Sequence, residues 1–137
     1  INKNGVNSGI YEPNRIVNVV NDGDGESGLI ITIENMSDND ILFITVHDIL
    51  SNEFIQFSEP LPAKNKIIVN TNKHNKSAVC VDESGNVNNW LNYLVTGSTW
   101  LQLKPGTNKL RCSTTNGNID NYKLKVIIEH ENNYIGV

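Results

Sequence analysis

The chain has 137 residues, 38% of them hydrophobic and 19% charged, which suits one globular domain that hides roughly two-thirds of the surface of its unfolded chain. Its formal net charge is -4, and its 11 Lys and Arg are spread along the sequence, so no broad positive field exists for phosphates and nucleic-acid binding is disfavoured. No apolar run approaches the roughly 20 residues that span a bilayer, and no leader of charged, apolar and small residues opens the chain, so no membrane insertion is expected.

In chain order, residues 1–15 read as a polar, flexible lead-in, because the stretch from Asn2 to Gly9 offers little apolar surface to bury. A single β-sandwich domain is expected over 16–137. Ile16 to Val20 reads as its first strand, and Asn21-Asp22-Gly23-Asp24-Gly25-Glu26 as a turn into a second, Leu29 to Glu34. Further runs of β-branched and aromatic residues follow at 41–46, 53–57, 66–69 and 77–81, separated by clusters of Asn, Asp, Gly, Ser and Pro. In the run at 41–46, Leu42, Ile44 and Val46 alternate with Phe43, Thr45 and His47, so Phe43 either lies in a covered sheet or faces a partner.

Residues 86–96 break this rhythm. Trp90, Leu91 and Leu94 share a helical face over about one turn and a half, which predicts a short helical plug or an ordered loop. Trp100 to Leu103 and 109–112 then read as strands around a type II turn at Lys104 to Thr107. Pro105 pre-sets φ for such a turn, Gly106 accepts the positive φ, and the short amide of Asn108 bonds the turn backbone. The run at 123–131 alternates most cleanly, with Leu124, Val126, Ile128 and His130 on one face. Short strands at this spacing predict an all-β sandwich.

Candidate chemistry is sparse. Asp22, Asp24 and Glu26 crowd three carboxylates together, yet the twelfth position counted from Asp22 is Ile33, which cannot close a calcium shell, so a solvated turn and no metal are expected. His47, His74 and His130 lack zinc-ligand spacing. No nucleophile elbow or other catalytic spacing is present, so no catalytic residue and no cofactor are assigned. Cys80 and Cys112 lie inside strand-like runs and read as free core thiols, a disulfide requiring that those strands be neighbours. Trp100 belongs with the core. Trp90 and Tyr93 are candidate ligand contacts, since aromatic faces with polar edges suit sugar rings.

Three of these segments carry a resemblance. The N-x-G-D-x-E turn (Asn21, Gly23, Asp24), the W-x-x-L-x-P-G-x-N segment (Trp100, Leu103, Pro105, Gly106, Asn108) and the Y-x-G-V ending (Tyr134, Gly136) resemble, in order and spacing, the C-terminal domain of distal tail proteins of long-tailed bacteriophages and prophage particles. The correspondence runs from about Ile16 to Val137. One departure is Gly28-Leu29, where the family often has Pro shortly after the N-x-G-D turn.

The resemblance implies a jelly-roll, galectin-like β-sandwich and a non-enzymatic structural protein of the virion tail, assembled in the bacterial host cytoplasm. It implies a place in the tail tip or baseplate that links the tail tube to the host-adsorption apparatus. Its partners would be tail-tube, tail-tip and receptor-binding proteins. A homo-oligomeric ring would form in the full-length protein through a separate N-terminal domain, expected before Ile1. The alternative from another class is a lectin-like module that binds cell-surface carbohydrate, because fold does not fix function. A third reading, an enzyme's accessory β domain, requires a catalytic partner on the same polypeptide.

Overall fold

The computed structural model describes residues 6–11 by their backbone, and residues 14–115 and 123–131 in full. Among the described residues, ten strands make two antiparallel sheets packed as a β-sandwich. The strands are β1 (Val6–Tyr11), β2 (Val17–Asn21), β3 (Leu29–Asn35), β4 (Thr45–Asp48), β5 (Phe54–Gln56), β6 (Lys66–Asn70), β7 (Ser77–Val81), β8 (Val87–Asn89), β9 (Gly106–Ser113) and β10 (Leu124–Glu131). One sheet has the order β1-β10-β3-β6-β7-β8 and the other β2-β9-β4-β5.

The core follows from period-two patterning. Leu29, Ile31 and Ile33 of β3 face inward with no exposed surface, and Val126 and Ile128 of β10 sit beside Ile33 and Ile31 across the strand pair. Each such side chain contributes about 1.5–3 kcal/mol by leaving water. From the smaller sheet, Val19, Val46, Ile55, Leu110 and Cys112 close the same cluster.

Four local readings are corrected by tertiary contacts. The lead-in expected to be flexible supplies β1, which pairs with β10 from Val6 opposite Glu131 to Tyr11 opposite Val126. Backbone hydrogen bonds to a sheet edge do not need apolar side chains, so polarity alone does not exclude a strand. Of the two readings of 86–96, helical plug or ordered loop, the helix shrinks to a single 3-10 turn, Leu91–Tyr93, and the short strand β8 precedes it. Trp100 to Leu103 forms no regular strand; Leu103 only bridges to Ser27, while Leu101 and Leu103 are buried and Trp100 packs against the core. Finally, the alternation at 41–46 fails at Phe43. Ile41 and Ile44 are buried, Leu42 and Phe43 both point outward, and Phe43 has φ of 49°.

Gly106 has φ of 95°, as the turn chemistry predicts, and a Cβ there would meet nothing within 4 Å. Gly28 is needed for a different reason. A Cβ at Gly28 would stand 2.5 Å from the Asn72 Cα, so only glycine lets these two backbones approach.

Candidate interaction surfaces

The two internal sequence motifs meet at one corner of the sandwich. Antiparallel pairing of β2 with β9 sets Asn21 opposite Gly106, and Ser27 exchanges backbone hydrogen bonds with Leu103 at 2.9 and 2.7 Å. Asn21 is buried. Its Oδ1 accepts the Gly23 amide at 2.9 Å, and its Nδ2 donates to the carbonyls of Gly25 and Leu103 at 2.9 and 3.2 Å. Buried Asn108 accepts the Lys104 amide at 3.0 Å and donates to the carbonyls of Lys104, Gly106 and Val19 at 2.9, 3.3 and 3.3 Å. These two amides satisfy backbone groups that the turns leave without ladder partners, which is why Asn rather than an apolar residue occupies each site.

A third buried Asn, not singled out by sequence, does the same work at the opposite end. Asn35 donates to the carbonyls of Asn39, Leu61 and Pro62 at 2.8–3.1 Å, and its Oδ1 accepts from the Ser37 amide and hydroxyl. Its Asn-x-Ser spacing and its place at the start of the turn-rich stretch 35–40 were the available signals. Nothing local marks it as buried.

The acidic turn is solvated: Asp22, Asp24 and Glu26 are all exposed, while Gly23 between them is buried. Among the described residues no group of three or more His, Cys, Asp or Glu could hold a metal ion. His47 lies on β4 with its Nε2 2.8 Å from Asn52 Oδ1, His74 lies in a loop and His130 on the core face of β10, so the three histidines do not converge. His130 is buried, its Nδ1 has no hydrogen-bond partner, and it helps line a cleft of about 360 Å³ with Ile30, Asn72, Asn75, Glu129 and Glu131. Asp82 has its carboxyl held below the ordinary range by the Asn86 backbone and side-chain amides, with lesser help from the Ser84 and Gly85 amides. That is turn chemistry in an exposed loop, not an acid or base in a cleft.

Cys80 and Cys112 are free and buried, in different sheets. Burial pushes the Cys112 thiol up to about 12, and burial is also the largest cause raising Cys80. Such thiols pack as small apolar groups and are poor nucleophiles.

Packing bears on the two candidate ligand contacts, Trp90 and Tyr93. Trp90 is buried: Phe57 lies against it with ring centroids 5.7 Å apart, and the Tyr93 ring meets it edge-on at 5.4 Å. Both contacts occupy indole surface that a sugar would need, and the Trp90 amide bonds the Ala78 carbonyl at 2.8 Å, holding it to β7. Tyr93 stays partly exposed. Of the other sequence assignments, Tyr134 and Gly136 lie outside the described residues.

Residues 22–134 match the model of the siphovirus-type tail component, C-terminal domain. The chain belongs to that family. No curated protein sequence matches it. Among solved structures, this tail-component domain resembles the SPP1 Dit protein, described as a paradigm of the hub adsorption apparatus in phages that infect Gram-positive bacteria. The TM-score is 0.70 at 14% identity. The match covers 93% of this chain and 46% of that one, so the chain spans about half the length of that relative. At this identity the likeness carries the fold, and the β-sandwich is common to both.

Proposed function

We propose that this domain is a structural element of a siphophage-type tail tip or baseplate, and that the protein it belongs to links the tail tube to the host-adsorption apparatus. The observation that carries this reading is the family match over 22–134, to which the fold likeness to a hub protein adds support. The domain acts through its surfaces and without catalysis: buried Asn21, Asn35 and Asn108 are engaged in holding turns, and Trp90 in packing against Phe57 and Tyr93. The full-length protein forms a ring at the end of the tail in the virion, after assembly in the bacterial host cytoplasm. Tail-tube, tail-tip and receptor-binding proteins are its partners.

The test is electron microscopy of particles made from the gene bearing a tag in the exposed Asp82–Asn86 turn. Density for the tag at the distal end of the tail, and its loss on deletion of the gene, is expected. Tag density at the capsid or neck, or particles without the protein, would overturn the reading. Glycan binding lost on Tyr93→Ala would move the domain to the lectin class.

A further inference from the structure

Leu42 and Phe43 break two rules at once. A strand through Ile41-Leu42-Phe43-Ile44 would bury alternate residues, yet Ile41 and Ile44 are buried while Leu42 is 40% and Phe43 42% exposed. The reversal is made by Phe43, whose φ of 49° belongs to the left-handed region that bulky L-residues avoid. Without that kink one of the two would turn inward. The strain is held by the backbone on both sides. Ile41 and Leu61 exchange hydrogen bonds at 3.0 and 2.8 Å, Ile44 accepts the Phe57 amide at 3.0 Å, the Leu42 carbonyl accepts the Thr115 amide at 3.1 Å, and the Phe43 carbonyl accepts the Thr45 hydroxyl at 3.1 Å. Two large apolar side chains are therefore displayed by a fixed backbone, which lowers the ordering cost of binding.

The surroundings bear on what meets them. Asp38 and Asp40 precede the pair in the same exposed loop, and Asp38 lies 3.4 Å from Lys64. A second copy of this chain, itself at net charge -4, would bring like charges together. An anionic lipid surface would do the same. Val6 pairs with Glu131 at the opposite end of the sandwich, so the outer ends of the first and last described strands lie away from this tip.

We propose that Leu42 and Phe43 form a preorganised apolar tip that docks into an apolar socket rimmed by Lys or Arg on a different tail protein. The proposal rests on the tail reading above. Phe43 is the anchor, because a rigid aromatic buries the most area at the smallest entropic cost. The acidic loop steers the approach and disfavours docking of this tip against the same tip of a second copy.

The experiment places a photo-cross-linking phenylalanine analogue at position 43 of the full-length protein in assembled particles, with position 87 on exposed β8 as control. Cross-linking from position 43 to another tail protein, at about ten times the control yield, is expected. Replacing Asp38 and Asp40 by Lys should lower that yield several-fold. Phe43→Gly removes the anchor and accepts the positive φ, so it should melt no lower than the parent while losing the partner from the particle. A yield at position 43 no higher than at position 87, cross-links to another copy of this chain, or indifference to the charge reversal would overturn the proposal. Particles that lack the protein altogether would overturn the tail reading and this proposal together. Particles that contain it, with no cross-link at position 43, overturn this proposal alone.

Discussion

Replacing Asn108 by Ala tests the central claim about the polar corner, that a buried side-chain amide closes a turn the backbone cannot close alone. Asn108 is 4% exposed, accepts one backbone amide and donates to three carbonyls, two of these at a long 3.3 Å. The two short bonds, both to Lys104, are each worth about 1 kcal/mol net, and a buried group left unpaired adds about 1–3 kcal/mol. Asn108→Ala is thus expected to destabilise by about 3 kcal/mol, a fall in Tm of about 12 °C at roughly 4 °C per kcal/mol for a domain of this size. Asn108→Asp sharpens the argument, because it keeps the acceptor for the Lys104 amide but turns a donor into a carboxylate facing three carbonyls. It is expected to cost more than Ala at neutral pH, with the gap closing as acid protonates the new side chain. Urea unfolding of parent and variants at pH 4 and pH 7 measures both effects. A loss under about 1 kcal/mol for Asn108→Ala, or an Asp variant more stable than the Ala variant at pH 7, would refute the reasoning.

The other predictions concern packing and burial. Gly28→Ala should cost about 2–3 kcal/mol by thermal melt, since its methyl group would lie 2.5 Å from the Asn72 Cα; a parent-like melt would mean that these backbones can separate. Trp90→Ala should lose about 3–5 kcal/mol, and a folded, parent-like variant would contradict its place between Phe57 and Tyr93. His130→Leu should be neutral or stabilising in chemical denaturation, because it removes a buried nitrogen without a partner; a loss above about 2 kcal/mol would reveal a bond that His130 makes. Cys112 holds its proton up to about pH 12 when folded, against an ordinary 9.0 when unfolded. Its contribution is therefore complete below pH 9 and disappears as pH rises to 12, on the order of 4 kcal/mol at about 1.4 kcal/mol per unit. Cys112→Ala should flatten the stability curve over that range, and curves that fall in parallel would remove the thiol as the cause.

What the sequence determined by itself was whatever depends on local spacing. The β-branched run at 29–34 and the alternation over 123–131 marked two neighbouring strands of the larger sheet, because side chains of an extended chain point to opposite faces whatever their neighbours do. Pro105-Gly106 and Asn21-x-Gly23 marked turns, because their φ preferences and short amides act within four residues. Only the tertiary structure decided the rest. The polar lead-in became an edge strand because β10 offered backbone partners, and the helical spacing around Trp90 yielded to the hydrogen bond from its amide to Ala78 and to burial against Phe57. Asn21 and Asn108 act at one corner because β2 pairs with β9, a contact across more than eighty residues. Gly28 and Phe43 show the same limit from opposite sides. One is required by a backbone 44 positions later, and the other holds a conformation that its own propensity opposes, because hydrogen bonds from Thr45, Phe57 and Thr115 fix the chain around it. Local preferences are worth a kilocalorie or so each, and long-range pairing overrides them wherever several backbone bonds act together.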